Sequence, residues 1–329
     1  MPDPVVDIQD LTVSFKTRRG HVRVVNGLTL ALERGRILGV VGESGSGKSV
    51  MSRCLLRIEA PGKIVSGRVT YFKTPEQGLH LERMDSTCSA IRRVRWKEIA
   101  MIFQEPMSSF GPQHTIGFQI AEAMRLHGLD CGNRAVVDEL MAVGMPRPEE
   151  VACQYPHQLS GGMRQRAMIA MALSCRPKVL VADEPTSALD VSTEAQILKL
   201  ISAKQLSLGM SVLFISHNLG VIAHIADDVA VMYMGEVVER SSVKALFDGP
   251  KHPYTRALLQ SIPRIDRECS GPLVVLGGSP PSPFVLPSGC RFHPRCPQRI
   301  PGVCDREPPA IELFQDGSEV RCHLWEGRG

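Results

Sequence analysis

Eight residues, Gly42-Glu43-Ser44-Gly45-Ser46-Gly47-Lys48-Ser49, stand between the apolar run Ile37-Leu38-Gly39-Val40-Val41 and a segment of helical spacing through Leu56. Strand, glycine-rich loop and helix in that order call for an α/β architecture, because the loop then sits where a strand hands over to a helix. The loop fits G-x-x-x-x-G-K-[ST]. Its glycines let successive backbone N–H groups turn inward around phosphate oxygens, where a Cβ would block the approach. Lys48 is then expected to reach the β- and γ-phosphates and the Ser49 hydroxyl to ligate Mg²⁺. The competing reading is a Gly/Ser turn that happens to end in Lys-Ser, and the flanking strand and helix weigh against it.

The chain has 329 residues, 43% hydrophobic and 22% charged, enough for one large core plus an appended piece or for two domains. A net charge of +4 without a dense Lys/Arg stripe gives no reason to expect a nucleic-acid partner. The most basic stretch, Arg92-Arg93-Val94-Arg95, is read as a solvated face. No apolar run approaches the ~18 residues of a membrane span, and Met1-Pro2-Asp3-Pro4 lacks the basic-then-apolar start of a signal peptide. The expectation is a soluble, cytoplasmic chain. Cys54, Cys88, Cys131, Cys153 and Cys175 are scattered and expected to pack as small apolar side chains.

Short apolar/polar alternations at Val5–Ile8, Leu11–Phe15 and Leu28–Leu32, with a polar turn at Lys16–His21, predict an antiparallel sheet leading into the nucleotide strand. Phe15 stands where an aromatic can either leave the sheet to stack on a base or pack in the core. Gly67–Phe72 and Ile99–Phe103 are further strand candidates, the second ending at Gln104, which a parallel strand would point into the ligand crevice. From about Gly117 to Ala172 the spacing turns helical, a helical insertion. It closes on Leu159-Ser160-Gly161-Gly162-Met163-Arg164-Gln165-Arg166 and a helix through Leu173. Ser160-Gly161-Gly162 at a helix start is a second anion-binding geometry, though Ser is also simply a good N-cap.

Val179–Pro185 is a strand ending in two carboxylates: Asp183 suits Mg²⁺ held through water, and Glu184 suits polarising an attacking water. A helix is expected from near Ser187. Val212–Ser216 ends at His217, again on the phosphate side, and Val229–Met234 is one more strand.

Together these motifs resemble the ATP-binding-cassette (ABC) ATPases over residues 5 to about 245. The phosphate loop matches Gly42–Ser49, the glutamine loop Gln104, the signature Leu159–Gln165, the magnesium aspartate Asp183 and the catalytic glutamate Glu184. Ser187-Ala188-Leu189-Asp190 matches the D-loop and His217 the switch histidine. The resemblance implies a P-loop, RecA-like core with an antiparallel β subdomain and a helical subdomain at about 105–175. It implies an adenine-stacking role for Phe15, Mg²⁺ held by Ser49, Gln104 and Asp183, and ATP hydrolysis by Glu184, His217 and Gln104. It also implies head-to-tail pairing, in which Ser160-Gly161-Gly162 grips the γ-phosphate bound to a partner cassette. A soluble cassette acting on ribosomes or DNA usually carries two cassettes or a coiled-coil insertion, and neither is seen. A regulator with vestigial nucleotide binding would not need Lys48, Asp183, Glu184 and His217 intact.

Gly249-Pro250-Lys251-His252-Pro253-Tyr254-Thr255-Arg256-Ala257-Leu258-Leu259 resembles the extension carried by ATPases of the peptide and nickel importer group. The division is then 1–247 for the nucleotide-binding domain and 248–329 for the extension. This resemblance implies a peripheral subunit on the cytoplasmic face of a bacterial inner membrane. Its partners would be a related second ATPase, two membrane permeases and an extracytoplasmic solute-binding protein. One departure is Ser108-Ser109-Phe110-Gly111-Pro112, where many members have a Leu-Asn-Pro turn, so an opine, oligosaccharide or nickel cargo stays open beside a peptide. Beyond the Pro-rich linker Ser279–Pro283, Cys290, Cys296, Cys304 and Cys322 are spaced x5, x7 and x17. Four cysteines so grouped in a reducing compartment argue for metal. The absence of a short paired spacing favours an iron-sulfur cluster over Zn²⁺, and the resemblance to members of the importer group that carry a four-iron cluster there implies [4Fe-4S], with unliganded thiols third. His293 and His323 keep zinc in contention.

Overall fold

The computed structural model describes residues 3–105, 109–187, 189–261, 277–279 and 281–327. Met1, Pro2, Pro106, Met107, Ser108, Ala188 and Pro280, each part of a sequence expectation above, lie outside the described residues.

Among the described residues two sheets organise the molecule. Strands β1 (Pro4–Thr17), β2 (Gly20–Glu33), β4 (Lys63–Thr74) and β5 (Gln77–His80) form an antiparallel sheet of order β2-β1-β4-β5, four strands among the described residues. Along β1 the buried residues Ile8 and Leu11 are an odd number apart, which strict alternation would place on opposite faces. A register shift between them, with Asp10 at φ 49, restores both to the core side.

The second sheet has a parallel centre: β3 (Ile37–Val41), β6 (Ile99–Ile102), β7 (Val179–Asp183), β8 (Ser211–Ser216) and β9 (Asp228–Tyr233). These are the continuous apolar runs of the sequence, as covering on both faces demands. Leu38 and Val40 face the antiparallel sheet and Met51, whereas Ile37 and Val41 face the core that includes the helical region.

Helix α1 (Lys48–Cys54) follows the glycine loop and ends two residues short of Leu56; α2 (Ser89–Val94) precedes β6. Between β6 and β7 stand α3 (Ile116–Leu126), α4 (Asn133–Ala142), α5 (Pro148–Cys153) and α6 (Gly161–Leu173), the expected helical insertion. The helix expected from Ser187 begins instead as α7 (Val191–Leu208): Asp190 is its N-cap, accepting from Thr193 N at 2.9 Å, while Ser187 turns its hydroxyl back to the Glu184 carbonyl. Arg95 is no free member of a solvated face. Its guanidinium donates to the carbonyls of Leu56, Arg57 and Ser86.

Helix α8 (Leu219–Ile225) follows β8, and α9 (Val243–Asp248) and α10 (Pro253–Gln260) follow the antiparallel strand β10 (Glu236–Ser242). The far C-terminal hairpin, β11 (Ile311–Leu313) and β12 (Glu319–Arg321), then pairs with β10 through Glu239 and Arg240. The eight described strands of this sheet therefore run in the order β11-β12-β10-β9-β3-β8-β7-β6, and the sheet carrying the glycine loop is completed from the end of the chain. Among the described residues no helix is long and apolar enough to cross a membrane.

Candidate functional site

The C-terminal ends of β3, β6, β7 and β8 lie along one edge of the parallel sheet, held by the pairs Val41↔Ser216, Asp183↔Ile215 and Ile102↔Ala182. The glycine loop, Gln104, Asp183, Glu184 and His217 stand at or just beyond those ends, so one edge collects them, as open parallel sheets do with their ligand sites.

The loop can form only with its glycines. A Cβ on Gly42 would stand 2.2 Å from the Met232 carbonyl oxygen. Gly47 has φ 98 and a Cβ there would meet the Val24 carbonyl at 2.7 Å. Lys48 Nζ folds back into this cradle, donating to the carbonyls of Gly42 at 2.7 Å and Glu43 at 3.0 Å and to Ser46 Oγ at 3.4 Å. Burial holds its ammonium below the usual lysine range, opposed by Glu184, Asp183 and Glu43. The Ser49 hydroxyl donates to Asp183 Oδ1 at 2.9 Å. Asp183 is buried, and burial pushes its carboxyl above the ordinary value, with the Ser49 bond pulling the other way. A cation between Ser49 and Asp183 would relieve that charge.

Glu184 sits at φ 47, a left-handed conformation that costs a non-glycine residue energy and gathers at functional sites. One of its oxygens, Oε2, takes the Gln104 side-chain N–H at 3.0 Å and lies 3.2 Å from His217 Nδ1. The Glu184 carboxylate is mostly covered (16% exposed) and the His217 ring open (59%), so the three side chains form a patch that faces outward.

Ser160 and Gly161 are exposed. Ser160 caps α6 by accepting from Met163 N, and among the described residues no hydrogen bond joins Ser160, Gly161 or Gly162 to the cradle. Phe15 is half-buried in β1, its ring against Gly62, where an added Cβ would meet Cζ at 2.7 Å. The cleft beside the loop is lined by Val24, Ser44, Gly45 and Ser46 together with Pro281 and Pro283. The linker therefore flanks the cradle.

All nine described cysteines are unpaired. Cys54 and Cys175 are buried as expected, Cys88 and Cys131 half-buried, and Cys153 is exposed rather than packed. Burial, reinforced by neighbouring thiols, pushes Cys290 up to about 11 and Cys322 up to about 12. Cys322 feels Cys290, Cys296 and Cys304, so the four thiols share one neighbourhood. Yet among the described residues no group of three or more His, Cys, Asp or Glu side chains is placed to hold a metal ion. The donor chemistry suits a cluster, but the side-chain placement does not form its cage.

Two residues that touch the loop escape a reading of the sequence. Tyr254 Oη accepts from Glu43 N at 2.9 Å, and Arg295 makes a two-pronged ion pair with the Glu43 carboxylate, from 211 and 252 residues away. Nothing in local spacing signals contacts so distant.

A family model described as "ABC transporter" matches residues 25–187, and another, "Oligopeptide/dipeptide transporter, C-terminal region", matches residues 238–304. The dipeptide transport ATP-binding protein DppD of Bacillus subtilis (strain 168) is 43% identical over 331 residues, 99% of this chain and 96% of that one. DppD of Escherichia coli (strain K12) is 40% identical over 325 residues, 97% and 96% of the two chains. A dimeric post-hydrolysis structure of the ATP-binding cassette MJ0796 bound to ADP and Pi superposes with a TM-score of 0.64 at 24% identity, over 72% of this chain and 98% of that one. The fold is that of a P-loop ABC ATPase. Within that class, the chain belongs to the ATP-binding subunits of the oligopeptide/dipeptide ABC importer family.

Proposed function

We propose that this chain hydrolyses ATP to drive uptake of peptides through two separate permease subunits, from the cytoplasmic face of a bacterial inner membrane and fed by an extracytoplasmic solute-binding protein. The carrying observation is the convergence of Gln104 and His217 on one oxygen of Glu184, beside the Ser49–Asp183 pair. In this reading Gly42–Ser49 cradles the phosphates and Lys48 swings from the loop carbonyls to the β- and γ-phosphates. Ser49, Asp183 and Gln104 hold Mg²⁺, and Phe15 stacks on the adenine.

Glu184 takes a proton from the attacking water while His217 and Gln104 orient that water and its base, a contribution of positioning and charge. Ser160 and Gly161 stand exposed and, with Gly162, make no hydrogen bond to their own cradle among the described residues, which supports their use on the nucleotide of a second, related cassette. The working division is 1–247 for the nucleotide-binding domain, with its helical subdomain at about 105–175, and 248–329 for the extension.

Cys290, Cys296, Cys304 and Cys322 are the proposed ligands of a [4Fe-4S] cluster, with Zn²⁺ the competing occupant. Their number, their unpaired state and their mutual influence support it. No step of hydrolysis runs through that group. A visible absorption band with about four irons per chain is expected on anaerobic purification, whereas a colourless protein with one zinc would replace the cluster by zinc.

The function is tested by reconstituting the chain with its membrane subunits and partner cassette in vesicles. Hydrolysis that depends on Mg²⁺ and rises with labelled di- or oligopeptide uptake is expected. Hydrolysis accompanied by transport of another solute class and no peptide would overturn the cargo assignment.

A further inference from the structure

Every polar group of Glu43 is engaged. Its N–H donates to the Tyr254 hydroxyl at 2.9 Å, its carbonyl accepts from Lys48 Nζ at 3.0 Å, and its carboxylate takes both terminal nitrogens of Arg295 at 2.8 and 3.0 Å. Arg295 is itself pinned, with 5% of its side chain exposed: Nε donates to the Gly277 carbonyl at 3.0 Å and Nη1 also reaches the Tyr233 hydroxyl at 3.4 Å. A planar fork meeting a carboxylate fixes direction as well as distance, which a lysine ammonium does not.

The mount is equally rigid. Tyr233, Tyr254 and Phe292 are all buried and pack ring to ring, with centroids 4.7, 5.3 and 5.4 Å apart. Phe292 caps the turn His293–Arg295, whose Arg295 N–H returns to the Phe292 carbonyl. The turn lies between Cys290 and Cys296, and Cys290 N is tied to the Cys304 carbonyl at 2.8 Å.

Lys48 now satisfies the carbonyls of Gly42 and Glu43. When it moves to phosphate the Gly42 carbonyl loses its donor and the Glu43 carbonyl is left with the Ser46 N–H at 3.2 Å, so a loop with no other hold would relax around them. Tyr254 and Arg295 do not depend on Lys48, so they keep Glu43 in place through that exchange. We propose that Tyr254 and Arg295 are positioning residues of ATP hydrolysis, holding the phosphate loop in its nucleotide-ready shape through Glu43. The C-terminal segment thereby sets the ATP affinity of a loop 211 and 252 residues earlier in the chain. The inference rests on Gly42–Ser49 being the ATP phosphate cradle.

The test is equilibrium binding of Mg·ATP to the full-length chain, with KM and kcat measured in the assembled transporter. Arg295→Gln and Glu43→Gln are each expected to weaken ATP binding about tenfold, with the loss in KM more than in kcat. Arg295→Lys should restore little, and the double variant should bind no more weakly than either single one. Tyr254→Phe removes one hydroxyl from an intact ring cluster and serves if the arginine variant does not fold; it too should bind ATP several-fold more weakly. Folded variants with wild-type affinity, or additive losses in the double variant, would overturn the proposal. A wild-type chain that binds no ATP would instead overturn the cradle assignment.

Discussion

Ser49 Oγ donates a 2.9 Å hydrogen bond to Asp183 Oδ1, joining the first turn of α1 to the end of β7 across the intervening strand β8. Burial raises the Asp183 carboxyl, with Glu184 adding to the rise and the Ser49 bond opposing it. A carboxyl raised in the fold costs stability as pH climbs from its unfolded value through its folded one, because the native state must then carry the charge. Above that folded value the metal-free chain bears the whole cost. Asp183→Asn is therefore expected to melt at a higher temperature than wild type without nucleotide, since an amide can still accept from Ser49. It should also lose Mg²⁺-dependent hydrolysis by about 10²-fold or more. Calorimetry at pH 7 beside a phosphate-release assay checks both halves.

The carboxylate that Gln104 and His217 share is expected to separate binding from turnover. Glu184→Gln keeps the shape and loses the base, so hydrolysis should fall about 10²- to 10⁴-fold while ATP affinity is kept. Mixed with its partner cassette, the variant should persist as a nucleotide-bound pair on gel filtration, where wild type separates. Normal turnover would remove Glu184 from the chemistry.

Gly42→Ala should damage the fold as well as the site. Its Cβ would stand 2.2 Å from a carbonyl of β9, and backbone yields far less readily than a side-chain tip. A loss of about 2 kcal/mol or more is expected in chemical denaturation, together with loss of nucleotide binding.

The parts legible in the sequence are those whose physics is local. Strands β3, β7 and β8 fall within a residue or two of their apolar runs because both faces of each are covered. The cradle reads directly because no side chain fits where Gly42 and Gly47 stand. Strand β10 is not legible, because Glu239 interrupts its apolar pattern. That carboxylate is only 1% exposed, and what makes it tolerable is a pair of backbone N–H groups that reach it from beyond the strand, those of Lys251 and His252. The hold on Glu43 is equally hidden, since Tyr254 and Arg295 are ordinary residues until the sheet closes. The start of α7 is ambiguous in the sequence because Ser187 and Asp190 are both good caps, and only the turn at Glu184 decides between them.

His252 gives the last prediction. It is 1% exposed and its Nδ1 accepts from Tyr254 N at 3.1 Å, so the proton sits on Nε2. Protonating Nδ1 would evict that N–H and unseat the residue whose hydroxyl holds Glu43. Burial, with the nearby Arg256 cation, pushes the imidazole down to about 3. The unfolded chain takes up this proton near pH 6.5 and the folded chain does not, so the histidine's contribution is complete above about 6.5 and declines as pH falls towards 3. The neighbouring Glu239 carboxyl is raised by burial and works in the opposite sense, so the comparison must isolate the histidine. His252→Asn keeps a cap acceptor without the titration. Between about pH 6 and pH 4 wild type is expected to lose stability relative to this variant by up to about 1.4 kcal/mol per pH unit. Denaturation midpoints that stay a constant distance apart across that range would show instead that His252 takes up its proton in the fold as readily as in the unfolded chain.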